Sequence, residues 1–235
     1  DSAGDAITPR WIARTLPALA GPFDTPDKTT AEGLFDLPYG ITHQKMTHAA
    51  TRTGVPIGFW RSVGHSHNAF FSECFIDEMA EAALQGPVAF RRKLLEHAPR
   101  YRAVLELAAK KAGWDENAGW NTPLPNGRAR GIALHESFNS IVAQVVEASI
   151  DAGRIRVHRV VVAIDCGIVV HPGIVAQQVE SSVIFGLTAA LHGRIDIRDG
   201  AVVQGNFADY PMLLLAQAPV IETHIVESGR APGGV

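Results

Sequence analysis

Arg61 stands between two glycines in the stretch Gly58-Phe59-Trp60-Arg61-Ser62-Val63-Gly64-His65-Ser66-His67-Asn68. A guanidinium carries forked donors that suit a phosphate. The bracketing glycines allow a tight backbone that can approach a ligand closely. Asn68 reads as an N-cap. Phe71, Cys74, Phe75, Met79 and Ala82 then recur at helical spacing and predict one apolar face. A glycine-bracketed loop that opens a helix can hold an anion. A structural turn with a surface arginine fits the same letters.

A second set of polar groups opens the helix expected over 173–192. Gln177, Gln178, Glu180 and Ser181 fall in its first turns. Side-chain amides both donate and accept, so they suit a ring with mixed edges, such as a pterin or a base. An exposed polar turn is the alternative. The ten histidines invite a metal, but His65/His67 and His43/His48 lack the spacing of zinc ligands. No protein-ligated metal is expected. No Gly-x-Ser-x-Gly elbow, P-loop or Gly-x-Gly-x-x-Gly occurs, and Ser137 and Ser140 lack a nucleophile's companions. No catalytic residue is assigned.

The chain has 235 residues, 46% hydrophobic and 19% charged, enough for a sizeable core. A net charge of −3 without a basic stripe gives no case for nucleic acid. Cys74 and Cys166 sit far apart in apolar surroundings, which predicts buried free thiols. No apolar run reads as a membrane span, and no charged-then-apolar export pattern opens the chain at Asp1.

These groups need elements to position them. Residues 1–40, rich in Pro and Gly, read as an extended wrapping segment with a short helix near 11–19. Residues 41–53 read as a strand. Residues 41–127 form a helical half. Gly86-Pro87 starts a second helix, Pro99 ends it, and a third over 101–112 carries Val104, Leu105 and Ala108 to Gly113. Glu73, Asp77 and Glu81, four apart, read as a solvated acidic stripe, with contact to a basic neighbour as the sharper alternative. Residues 128–235 form a β-rich half. Strands over 131–150, interrupted near 137–140, and over 154–164 make a hairpin around Asp151-Ala152-Gly153. The central strand of that half reads as covered on both faces. Helix 173–192 follows His171-Pro172 and buries Val175, Val179, Val183, Leu187 and Ala190. A small hairpin around Asp199-Gly200 and a strand over 220–227 complete the half. The fold class is α+β, with mixed sheets and packed helices.

Several of these segments together resemble a known family. Thr53-Gly54-Val55-Pro56 and Gly58-Phe59-Trp60-Arg61-Ser62-Val63-Gly64 are followed by Phe75-Ile76-Asp77-Glu78. Then come Glu136-Ser137-Phe138, Asp165-Cys166-Gly167, His171-Pro172 and Gln177-Gln178-Val179-Glu180, and lastly Glu227-Ser228-Gly229 with Ala231-Pro232-Gly233-Gly234-Val235. In this order they resemble the carboxyl-terminal part of the molybdenum-binding large subunit of the xanthine oxidase family, and within it the isoquinoline 1-oxidoreductase beta-subunit type.

The resemblance implies a molybdenum-cofactor-binding domain of the xanthine oxidase/aldehyde oxidoreductase type. It implies a molybdopterin cytosine dinucleotide and an oxidoreductase that hydroxylates N-heteroaromatic rings or oxidises aldehydes with oxygen from water. It further implies a small partner subunit with [2Fe-2S] clusters, the remainder of the large subunit, a cytochrome c acceptor, and a periplasmic location with the cytoplasm as alternative. By position, Arg61, Ser62, Gly64, Gln177 and Gln178 would contact the cofactor. Val63 would face substrate where relatives often carry an aromatic. The family's catalytic glutamate lies just after the Gly-Gly-Val motif, where this sequence stops, and the family's Gly-Gln-Gly motif is not among its residues. Part of a larger subunit is therefore expected, with a non-catalytic structural or interaction domain as the alternative.

Overall fold

A computed structural model describes residues 31–47, 49, 54–55, 58, 60–114, 124 and 126–235. The helix expected near 11–19 lies outside these. Three helices come first: α1 (His65–Ala82), α2 (Pro87–Leu94) and α3 (Pro99–Lys111). Strands β1 (Ala129–Ser137), β2 (Ser140–Asp151) and β3 (Arg154–Asp165) precede the long helix α4 (Pro172–His192). A small hairpin, β4 (Ile197–Arg198) with β5 (Ala201–Val202), and strand β6 (Val220–Ile225) follow.

The sheet runs β1-β2-β3-β6. β1, β2 and β3 are antiparallel neighbours, and β6 lies parallel to β3 after the α4 crossover. Two tight turns set the register. Phe138 and Asn139, then Ala152 and Gly153, all have positive φ, the backbone that two-residue hairpins require. A register shift at Glu147/Ala148 inserts His158 as an extra residue of β3. Beyond it the strand alternates cleanly. Val161 and Ala163 join the core under α1–α3, and Val160, Val162 and Ile164 join the core under α4. The apolar run 160–164 thus reflects burial on both faces.

The helices keep some sequence expectations and reverse others. α3 buries Val104, Leu105 and Ala108 as expected, and Gly113 follows its C-cap with φ +65°. Pro99, expected to end the second helix, instead occupies the first turn of α3. Residues 41–47 form no strand; residues 48 and 50–53 of that segment lie outside the described residues. α4 buries Val175, Val179 and Val183, but Thr188 takes the buried place expected of Ala190, which is not buried. By length and composition α4 could cross a membrane, where the sequence reading expected no such run. Gln177, Gln178 and Glu180 interrupt the run without making the helix polar on average. Its valine face packs on β3 and β6, as a core helix does.

α1 differs most. It begins at His65 behind an N-cap of Gly64 that supplies no side-chain cap. Asn68 is therefore a buried helical residue, donating its amide to Glu32 O at 2.9 Å. Most of the expected apolar face points outward, with Phe71 57% and Phe75 60% exposed and Cys74 exposed as well, while Met79 is half-buried against the core. Only Cys166 is the buried thiol predicted for both cysteines.

The face of α1 turned inward carries Ser72, Glu73, Ile76 and Ala80. The reason is Arg91, fully buried on α2. Its Nε donates to Glu73 Oε2 at 3.0 Å, Nη1 to Asp77 Oδ1 at 2.6 Å, and Nη2 to Glu73 O at 3.1 Å. Tyr39 OH and Leu134 N–H also donate to the Glu73 carboxylate, at 2.8 and 2.7 Å. Burial pushes the Glu73 carboxyl up, while Arg91, Leu134 and Tyr39 pull it back. These donors leave the buried charge paired. Of the stripe read as solvated, Glu73 and Asp77 thus contact a basic neighbour, and Glu81 stays exposed.

Candidate functional site

The 60–64 loop is a strained turn at the head of α1. Ser62 and Val63 are consecutive left-handed residues, with φ 69° and 48°, a backbone that a β-branched residue adopts only when its surroundings impose it. Val63 N–H donates to Trp60 O at 3.0 Å and His65 N–H to Ser62 O at 3.0 Å. Ser66 Oγ donates to Arg61 O at 2.5 Å. The loop therefore holds its shape and directs the Arg61 side chain outward, where no carboxylate among the described residues forms an ion pair with it.

α4 meets this loop. The Arg61 guanidinium lies over the Phe185 ring, 5.2 Å from its centroid, and the Trp60 ring centroid is 5.9 Å from that of Phe185. Trp60, Phe185, Gln177, Glu180, Ser181 and Tyr210 line an open cleft of about 640 Å³. His171 Nδ1 accepts from Ile174 N–H at 3.1 Å and caps the first turn of α4. Gln177 thus lines one cleft with Trp60 and Phe185, while Arg61 stacks on Phe185 from outside that lining. Gln178 is exposed on the adjoining turn outside that lining. Ser62 is exposed, Gly64 is buried at the helix start, and Val63 is half-buried and does not line the cleft.

Two further constellations emerge that sequence reasoning missed. The first is a strap, residues 226–235, pinned to the end of β3. Asp165 is fully buried and accepts from Ser228 Oγ at 2.6 Å, Gly167 N–H at 3.0 Å and Arg100 Nε at 2.5 Å. Burial alone would raise its carboxyl, but these donors, Arg100 first, hold it below the usual carboxylate range. Gly233 N–H donates to Cys166 O at 2.9 Å and Gly234 N–H to Phe138 O at 2.8 Å. Gly167, at φ +76°, has no room for a side chain, because a Cβ there would strike the carbonyls of Ala231 and Arg230. The sequence offered the Asp165-Cys166-Gly167, Glu227-Ser228-Gly229 and Gly233-Gly234-Val235 motifs but not their contact. The second is His65 Nδ1, 3.0 Å from His135 Nε2, a pair 70 residues apart that spacing could not reveal. Among the described residues, no three His, Cys, Asp or Glu side chains are grouped to hold a metal ion.

The sequence profile of the molybdopterin cofactor-binding domain matches residues 74–219, more than half of the chain. The chain belongs to that family. This domain is the molybdenum-binding part of the xanthine oxidase type that its motifs resembled. It is 31% identical over 227 residues to the beta subunit of isoquinoline 1-oxidoreductase from Brevundimonas diminuta, covering 96% of this chain and 29% of that protein. It is 27% identical to a nicotinate dehydrogenase subunit of Pseudomonas putida, over 92% of this chain and 19% of the relative. It is 28% identical to a membrane-bound aldehyde dehydrogenase of Gluconacetobacter polyoxogenes, over 76% of this chain and 25% of the relative. The chain thus spans less than a third of the length of each. The donors at the molybdopterin domain's α4 cleft fit such a cofactor. An outward guanidinium with no acidic partner among the described residues suits phosphate, and exposed amides on the first turns of α4 suit a pterin's mixed edges.

Proposed function

We propose that this molybdopterin-binding domain forms one wall of the cofactor site of an oxidoreductase that hydroxylates N-heteroaromatic rings or oxidises aldehydes, with oxygen taken from water. One observation carries the reading. The loop that carries Arg61 packs on Phe185 of α4, the helix whose first turns carry Gln177 and Gln178, in a chain whose family binds molybdopterin. The names of the relatives, two acting on ring compounds and one on aldehydes, support both substrate classes.

When bound, the cofactor would supply the two-electron redox chemistry of the reaction. The chain's own residues bind and orient. Arg61 neutralises a phosphate, and stacking on Phe185 limits its swing. Ser62 and Gly64 shape the turn that presents Arg61 to the same anion. Gln177 and Gln178 hold the edges of the ring system. Val63 borders the substrate side, where a side chain smaller than an aromatic leaves room. The cytosine dinucleotide form, a small [2Fe-2S] subunit, a cytochrome c acceptor, the remainder of a large subunit and a periplasmic location complete the reading.

The test is elemental mass spectrometry for molybdenum, with release of cytidine monophosphate, on protein purified from its native source. Near-stoichiometric metal and nucleotide are expected. A protein with neither, isolated with all its native partner chains, would refute the reading.

A further inference from the structure

We infer that the His65–His135 pair is the positioning device that holds the 60–64 loop in its ligand-receiving shape. The value of that shape for cofactor rests on the proposed function; the latch itself rests on geometry. His65 is the first residue of α1, immediately behind the strained Ser62-Val63 turn. The loop's backbone hydrogen bonds, from Val63 N–H to Trp60 O and from His65 N–H to Ser62 O, are local. The link from His65 Nδ1 to His135 Nε2, 3.0 Å long, instead ties the loop's end to β1. The His65 ring also lies 5.6 Å from the Phe138 ring, centroid to centroid, at the turn that receives Gly234 N–H. Loop and strap are therefore braced on the same hairpin.

The pair is half-buried and covered on one side. Gly33 passes over it with φ +77°, and a Cβ there would come within 2.6 Å of the His135 ring and 2.8 Å of His65 Nδ1. Only glycine fits that crossing. An N···N contact of this length needs one nitrogen to donate and the other to accept. One shared proton makes the bond; a proton on both facing nitrogens breaks it. Burial, then the neighbouring His65, push the His135 imidazole down to about 4, so the bond is kept at neutral pH. The other charged groups around it are Asp36, Glu136 beside it in β1, and Arg100 from α3 facing Glu136. Glu32, next to Gly33, keeps Oε2 buried without a partner among the described residues.

Amide hydrogen exchange on the full chain tests this. His135→Leu should speed exchange across 61–66 at least tenfold and leave 104–109 of α3 unchanged. His135→Gln, whose amide nitrogen reaches the Nε2 position, should restore the wild-type rate. Lowering the pH from 7 to below the His135 value of about 4 should reproduce the leucine effect in wild type, after correction for intrinsic exchange, and should not do so in H135Q. Equal protection in wild type and H135L, or equal loss in H135Q and H135L, would overturn the inference. If H135L does not fold, His65→Leu and His65→Asn, whose amide reaches Nδ1, give the same comparison: restored protection in H65N supports the latch, and equal loss in both variants overturns it. Molybdenum content separates the two claims. A latch that responds in a protein that never binds molybdenum stands, while the cofactor reading falls.

Discussion

α1 and α4 cover opposite faces of one sheet and are built by opposite rules. α1 turns Asn68, Ser72 and Glu73 inward and leaves Phe70, Phe71 and Phe75 in the open. α4 turns three valines inward and leaves its glutamines, glutamate and serines out. Both arrangements satisfy their buried groups, but by different means. α4 is held by apolar area, so its outer face is free to carry ligand chemistry. α1 is held by one arginine that collects a carboxylate, a second acid and two backbone carbonyls. The polar lock fixes the middle of α1, and the His65–His135 contact ties its start to β1.

The sharpest way to break this contrast is to unpair the lock. Glu73→Leu should cost about 3–5 kcal/mol, because Arg91 would stay buried without its main partner. Urea unfolding would read it, and a loss below about 1 kcal/mol would make α1 an ordinary packed helix. Next in size is acid. His135 has a folded value of about 4 against 6.5 when free, so the unfolded chain takes up the proton first. Stability is complete above about pH 6.5 and falls by up to about 3 kcal/mol as the pH drops toward 4. Unfolding curves across that range should flatten in His135→Leu. On the other face, Val179→Ala removes two methyl groups from a closed core and should cost about 2 kcal/mol. The smallest effect belongs to the exposed aromatics. Phe71→Ser and Phe75→Ser should move stability by less than about 0.5 kcal/mol, and a large loss in either would show the apolar face of α1 to be packed after all.

The same contrast explains what the sequence disclosed. α4 was legible because His171-Pro172 and Gly193 mark its ends and its valines recur every four residues. The β2–β3 pair was legible because turn residues bracket alternating and continuous apolar runs. α1 ran against the sequence pattern because periodicity assumes that apolar side chains go inside. Its core face is set by partners 18 and 61 residues away, Arg91 and Leu134, which no local window contains. The loop and the amide-rich turn were each visible in the sequence, but the packing of the loop on Phe185 of the same helix was not. The His65–His135 contact and the Asp165 anchor are likewise products of strand order. So is the parallel pairing of β6 with β3, which follows from the α4 crossover.

The α4 face, with the loop it receives, is proposed to hold the cofactor. Molybdenum content per chain, measured side by side for wild type, Arg61→Ala and Phe71→Ser, tests it most directly. The account predicts at least a tenfold fall in R61A and wild-type metal in F71S, with both variants folded by circular dichroism. Undiminished molybdenum in R61A, or an equal loss in F71S, would contradict it.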